Sequence, residues 1–543
     1  MFSAKPELSQ PTTPGLAPSG FYELRVSPFL ARHAVILSLY LIAIGSFRIV
    51  ATYPVLSLTT DEPGHFACGL EYLQKHVYQF ESQHPPLGRM MAALLPYIDG
   101  TRLRGGPQRD QEGVDVIVHA PYPRRTVSLM RLGMLPFFWL ACAVVFLWAR
   151  RGFGAPVAVI ATALFTMTPP VLAHAGLATT DMALTACLGA AFYSLVLWAS
   201  SPTWKHSLLL GVCAAAAALS KFTALAYLPA ATLLALISYL LVKRPGRREL
   251  AGLIRARIAT FPLAVMTGAF VVWCGYWFSY GYVPALELSL PAPEFFDGIS
   301  VATHHNSEGH PAFLLGSVSF EGWWYFFPVV LAVKTPIPLL LLLYPGLWLC
   351  IRHRRRLALL TPVAFSLGIL LTAMIGRVNI GVRHILPVYI GFAIVAAAAL
   401  AYLARTTQGK PLAALLVVWM ALSGAVRHPD YLAYFNEFVW SHPERVLVDS
   451  DLDWGQDVIR LSKRLRELGA TRVAFNIDPP YPHLYGLPTC VGINPASATE
   501  TWTVVRPTHA TYTSRVMPIK AWYADLEPTE RVGAFLLYQS RLP

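Results

Sequence analysis

Residues 357–376 read LALLTPVAFSLGILLTAMIG, twenty positions without one charged side chain. That is about the length of helix needed to cross the hydrocarbon core of a bilayer. Basic residues bracket the run, with Arg352, Arg354, Arg355 and Arg356 before it and Arg377 after it. Comparable runs occupy about 31–53, 127–149, 155–172, 181–200, 207–222, 224–242, 259–280, 327–350, 384–404 and 411–426. The expected fold is therefore a polytopic α-helical membrane protein with about eleven transmembrane helices.

Composition agrees. Of 543 residues, 55% are hydrophobic and 13% charged, against about 25% charged in a soluble domain. A single soluble core stops growing near about 250–300 residues, so this much apolar surface must meet lipid. The seven cysteines are scattered without a CxxC pair, which indicates neither a zinc module nor a disulfide framework.

Lys and Arg in the connecting loops set the orientation. With the N-terminus inside, the cytoplasmic loops carry Arg150, Arg151, Lys205, six basic residues from Lys243 to Arg257, four from Arg352 to Arg356, Arg405 and Lys410, against the one acid Glu249. The net charge of +13 is therefore mostly topological and gives no support to nucleic-acid binding. Residues 1–30, rich in Pro and Ser and lacking a basic, then apolar leader pattern, are expected to be a disordered cytoplasmic tail. Residues 31–426 make the transmembrane domain, with external loops at about 54–126 and 281–326. The first loop holds two amphipathic helix patterns, beginning near Phe66 and Pro86, expected along the membrane surface. Residues 427–543 lack a spanning run. Strands at Val446–Val448, Val473–Ile477 and Val532–Tyr538 and a helix at 455–468 would make them a small C-terminal α/β extracytoplasmic domain.

The first stretch with chemistry in it is Thr60-Asp61-Glu62-Pro63-Gly64-His65, two adjacent carboxylates where the chain leaves the membrane. An acid there can deprotonate an acceptor or bind a metal. Asp before Pro is also a common helix start, and spacing does not separate the two. Gln83-His84-Pro85-Pro86-Leu87-Gly88-Arg89 follows, a turn rigidified by proline ahead of a helix. Charged residues in or beside spans are costly and commonly line cavities. Arg131, Asp181, Lys221, Arg377, Arg383 and His384 fall at the external face, and Lys334 lies about two turns inside it. Some are candidates for snorkelling anchors. As a group, on the side of Asp61, the cations would form an anion site suited to a lipid-linked phosphate. Asp449, Asp451, Asp453 and Asp457 with Trp454 make an acidic cluster suited to a sugar or a cation, or equally to a solvated helix N-terminus. A divalent metal stays open, held by Asp61, Glu62, His65 and His84 or by His304, His305, Glu308 and His310, although neither set has diagnostic spacing. No GxSxG or HExxH hydrolase motif occurs.

The order of these motifs resembles the C-type, membrane-integral glycosyltransferases, with a likeness to protein O-mannosyltransferases and bacterial aminoarabinose transferases. Ala173-His174-Ala175-Gly176-Leu177-Ala178-Thr179-Thr180-Asp181, Ser220-Lys221-Phe222, Gly309-His310-Pro311, Lys334-Thr335-Pro336, Gly381-Val382-Arg383-His384 and Asp451-Leu452-Asp453-Trp454 look like the bacterial phospholipid-carrier-dependent branch. The resemblance covers roughly residues 55–540. It implies an inverting transfer from a polyprenyl-phosphate-linked sugar on the outer side of a bacterial cytoplasmic membrane. By the same likeness, Asp61 is the general base and Glu62 orients it. His84 lies near the donor phosphate, Arg131 holds that phosphate as it leaves, and Asp181 is a second acid at the rim. Lys221, Arg383 and His384 are further phosphate candidates, with His65, Lys334 and His310 elsewhere in the cavity. No inserted β-trefoil segment is recognisable, and the acceptor stays open between protein, lipid and cell-envelope glycan. The alternative is a transporter or flippase of a lipid-linked sugar, which needs the basic cavity but no poised acid.

Overall fold

The computed structural model describes residues 28–354, 357–439, 441–476, 482–508, 510–511 and 521–540. Most of the expected 1–30 tail and Ile477 lie outside them, and Pro28–Arg32 begins the described chain as a short helix.

Among the described residues five helices are long and apolar enough to cross a membrane: Pro123–Phe153, Asp181–Ser200, Ala224–Lys243, Arg247–Gly275 and Leu357–Ile375. Two bent pairs pass the same test together, Ala155–Met167 with Pro169–Ala175 at 67° and Phe326–Lys334 with Ile337–Arg352 at 117°. Proline explains both bends. Thr168 and Thr335 each precede a proline and take extended backbone, since the proline ring disfavours a helical residue before it. Ala34–Val50, Trp204–Ser220, Val388–Leu403 and Gly409–Ala425 are shorter apolar helices. The protein is a multi-pass membrane protein. Val388–Leu403 lies at the bundle centre, buried along nearly all its length, whereas Ala224–Lys243 and Arg247–Gly275 keep most of their surface exposed as lipid-facing helices do. The span expected from 384 starts at Val388, because Val382–Ile385 forms a single 3₁₀ turn ahead of Pro387.

The loop expected at about 54–126 folds into three helices, Glu62–Lys75, Pro86–Ile98 and Arg109–Val118, the third not foreseen. The first two meet at Gly69, where a Cβ would stand 2.1 Å from the Arg89 carbonyl oxygen, so only glycine permits the approach. The second loop carries a hairpin (Tyr280–Val283 with Leu288–Pro291), the helix Pro293–Glu308 and a second hairpin (Ala312–Leu314 with Ser317–Ser319).

The C-terminal sheet has five strands in the order Thr489–Gly492, Arg472–Phe475, Trp502–Val505, Phe535–Gln539, Glu530–Val532. The first three run parallel, and Phe535–Gln539 is antiparallel to both of its neighbours. Val458–Glu467 covers the sheet with Val458, Leu461 and Leu465. Three expectations are corrected here. Val446–Val448 is not a strand, because it sits between two 3₁₀ turns. The single late strand is two, joined at Gly533 with φ 57°. The α/β core starts near Val458 and not at 427, since Tyr431, Phe435, Leu452 and Trp454 pack into the core of the helical body.

Candidate active site

The C-terminal end of Ala34–Val50 leads into residues 56–61, which are fixed from two sides. From within the bundle, Arg131 donates from Nη1 to the Leu56 carbonyl at 2.9 Å, from Nη2 to the Ser57 carbonyl at 2.7 Å, and from Nε and Nη2 to both Glu62 oxygens at 2.9 and 2.8 Å. Glu62 also accepts from the backbone N–H groups of Thr59 at 2.8 Å and Ala178 at 2.9 Å. Both side chains are fully buried. Burial alone would raise the Glu62 pKa, but Arg131 and these hydrogen bonds outweigh it and hold the carboxyl below its usual range. From outside, Ser57 pairs with Gln456 and Gly455, and Thr60 donates twice to the Trp454 carbonyl.

Asp61 occupies the N-cap position of Glu62–Lys75, yet its side chain makes no cap bond. It turns instead to Arg383, whose Nη1 donates to Oδ2 at 2.9 Å, and its side chain remains 36% exposed. The Arg383 guanidinium lies over the Trp454 ring, 4.1 Å from its centroid. Its Nε is buried without a partner. Burial opposes the Arg383 charge, but Asp61, Asp181 and Asp449 outweigh it and raise the pKa. Behind this pair, Lys221 donates to Asp181 at 2.7 Å, with both side chains nearly enclosed. His384 is half-buried beside Lys221 and Arg383, and burial with those two charges keeps its imidazole neutral. His310 lies within electrostatic reach of His384 and Asp449, its Nδ1 against the Pro311 carbonyl at 2.9 Å.

His65 and His84 meet edge to face at 5.2 Å. Arg89 donates from Nε to His65 Nδ1 at 3.0 Å, and further to Tyr78, Glu81 and the His84 carbonyl. Burial and the Arg89 charge hold both imidazoles neutral, and His84 Nδ1 is left without a partner. Lys334 stands apart from this rim. It donates to the carbonyls of Leu432 at 2.8 Å and Asp451 at 2.6 Å, tying the bent span to the C-terminal segment.

The structure thus gathers Asp61, Asp181, Lys221, Arg383, His384 and His310 within electrostatic reach of one another, with His65 and His84 beside them. Glu62, Arg131 and Lys334 have their polar groups already partnered. Among the described residues no three His, Cys, Asp or Glu converge on a point that could hold a metal. In the sets read from the sequence, Glu62 is committed to Arg131 and His65 to Arg89. The acidic C-terminal cluster is likewise engaged: Asp453 with Arg506 at 3.1 Å and Asp457 with Arg460 at 3.2 Å. Sequence reasoning passed over Arg89 and Arg506 as site-building residues. Arg89 ends the quoted His-Pro-Pro stretch, but nothing local marks Arg506.

Arg131 lies on Pro123–Leu132, Asp181 opens Asp181–Ser200, and Lys221 caps the end of Trp204–Ser220. Residues 129–274 match the family model described as dolichyl-phosphate-mannose-protein mannosyltransferase. That region includes Arg131, Asp181 and Lys221 but neither Asp61 nor Arg383. No curated protein matches the chain by sequence. In structure it is similar to ArnT from Cupriavidus metallidurans bound to undecaprenyl phosphate, at 16% identity, covering 92% of this chain and 97% of that one with a TM-score of 0.51. The apo state of ArnT gives the same figures, 16%, 92%, 97% and 0.51. Archaeal oligosaccharyltransferase AglB from Archaeoglobus fulgidus, in complex with an inhibitory peptide and a dolichol-phosphate, gives 11% identity, 93% and 75% coverage and a TM-score of 0.48. The ArnT likeness spans nearly all of both chains and shows a shared fold. The resemblance to C-type glycosyltransferases read from the sequence is borne out.

Proposed function

We propose that this protein is an inverting glycosyltransferase that moves a sugar from a polyprenyl-phosphate donor to an acceptor at the outer face of a bacterial cytoplasmic membrane. In this reading it has eleven spans, a cytoplasmic N-terminus and an extracytoplasmic C-terminal unit. The lopsided distribution of Lys and Arg between loops supports that orientation. The family match in 129–274 supports the donor class.

Asp61 draws the proton from the acceptor hydroxyl or amine, which attacks the sugar carbon on the face opposite the phosphate. The bond from that carbon to the phosphate oxygen breaks, and the phosphate leaves with its charge stabilised by Arg383 and Lys221. His84 and His384, both neutral, serve as hydrogen-bonding groups near the phosphate. Arg131, with all three nitrogens already engaged, becomes the scaffold of the loop that carries Asp61. The observation that carries the reading is the Asp61–Arg383 pair: a reachable carboxylate beside a cation with only one of its N–H groups used. No observation favours a transporter of lipid-linked sugar.

The test is transfer of label from radiolabelled polyprenyl-phosphate sugars to membrane acceptors by wild type and Asp61→Asn. Wild-type transfer with a folded, inactive Asp61→Asn supports the reading. Equal transfer by both removes Asp61 from the mechanism, and donor crossing the bilayer without transfer replaces the enzyme with a transporter.

A further inference from the structure

The segment that follows the bundle grips both members of the Asp61–Arg383 pair. Trp454 lays its ring against the Arg383 guanidinium at 4.1 Å. Its carbonyl oxygen accepts from Thr60 N at 3.0 Å and Thr60 Oγ1 at 3.2 Å, one residue before the acid. The tryptophan is itself locked in place. It is 5% exposed, and its backbone N–H donates to Gln456 Oε1 at 2.8 Å while Gln456 Nε2 returns to the Leu452 carbonyl at 2.8 Å. Its neighbour Asp453 receives Arg506, at the end of the central strand Trp502–Val505, at 3.1 and 3.3 Å. Arg383 needs such a wall. A guanidinium with one directed hydrogen bond can pivot about it, whereas an aromatic face against its plane fixes the plane and leaves the in-plane N–H groups free for an anion.

We infer that Trp454 is a positioning residue for the transfer: its indole face sets the plane of Arg383 while its carbonyl sets the loop of Asp61. The C-terminal α/β unit, holding Trp454 through Asp453 and Arg506, is then part of the framework of the reaction centre and not an appended module. This inference rests on the transferase reading above.

The experiment uses the full chain in lipid nanodiscs, comparing wild type, Trp454→Phe and Trp454→Leu. Transfer is followed with varied donor, and binding of undecaprenyl phosphate is measured separately. Leu keeps the apolar filling but has no π face. It is expected to lose roughly 3- to 30-fold in kcat/KM, the span of one cation–π contact. Most of that loss should be in donor KM, with a matching loss in undecaprenyl phosphate binding. Phe should stay within about 3-fold of wild type, because it keeps the ring. In an Arg383→Gln background, where no cation remains to be oriented, Trp454→Leu should cost nothing more in binding. Equal losses for Phe and Leu, or an undiminished further loss beside Arg383→Gln, would reduce Trp454 to packing. If the Leu variant does not fold, Trp454→Met against Trp454→Phe asks the same question. If wild type transfers nothing, the transferase reading fails and the role in transfer with it, and the binding arm decides what is left: weaker undecaprenyl phosphate binding by Leu than by Phe keeps Trp454 as the residue that sets Arg383 for an anion, and equal or absent binding removes that too.

Discussion

Glu62 and Arg131 lock together through two hydrogen bonds of 2.9 and 2.8 Å, with both side chains shut off from solvent. Adjacent residues on one loop thus have opposite fates. Asp61 faces the rim and Glu62 points into the bundle, where it meets the one guanidinium that also holds the Leu56 and Ser57 carbonyls. Removing one partner of a buried pair leaves the other charge uncompensated, at about 3–5 kcal/mol. Glu62→Gln is therefore expected to lower the thermal midpoint and membrane abundance strongly, whereas Asp61→Asn melts close to wild type. Thermal unfolding of the two variants in detergent checks this, and a wild-type midpoint for Glu62→Gln would remove it from the scaffold.

Arg383 carries the opposite expectation. With one N–H on Asp61, it affects chemistry more than folding. A hydrogen bond to a charged group is worth about 1.5–3 kcal/mol. Arg383→Lys, which replaces the planar fork with a point charge, should cost about 10- to 100-fold in kcat/KM, mostly through donor KM. Kinetics at varied donor concentration measure it, and an unchanged KM would move phosphate binding elsewhere.

The Lys221–Asp181 pair, at 2.7 Å and nearly enclosed, should behave as a unit. Lys221→Met alone strands a buried carboxylate, so its loss of stability should exceed that of Lys221→Met combined with Asp181→Asn. A double-mutant cycle on unfolding midpoints gives the coupling, expected above about 1 kcal/mol. Additive single effects would mean that the two side chains do not interact in the folded protein.

Asp457 offers a test by pH in the C-terminal unit. Burial pushes its pKa up to about 7 from an ordinary 3.8, with Arg460 only partly opposing. The folded form therefore keeps a proton that the unfolded chain has already released, and stability conferred by Asp457 falls as pH rises from about 4 to about 7 and then levels off. Asp457→Asn keeps an acceptor for the Ala534 N–H, which bonds the carboxylate at 3.0 Å. It should melt higher than wild type near pH 7, with the advantage shrinking toward pH 4. Midpoints across that range for both proteins decide it, and a constant difference would contradict the assignment.

The apolar helices and the loops between them were legible in the sequence because each is written locally. An uncharged run such as 357–376 excludes water wherever it sits, and Leu357–Ile375 is indeed a helix of spanning length. Short-range patterns also gave Val458–Glu467, where apolar residues recur on one face of a helix. Val446–Val448 misled for the same reason. Its composition suits a strand, but Leu447 is drawn into the core of the bundle and no partner strand lies beside it.

What the sequence by itself determined was which stretches form apolar helices and which segments between them do not, since hydropathy acts residue by residue. Only the tertiary structure decided which charges meet. Arg131 and Arg383 look alike along the chain, each a lone cation at the edge of a span. Folding brings Arg131 to Glu62 across 69 positions and Arg383 to Asp61 across 322. The first is closed off with every nitrogen engaged, and the second is left at the rim against Trp454. A charge in a low-dielectric body must find its partner in space, and no spacing along the chain records which partner that will be.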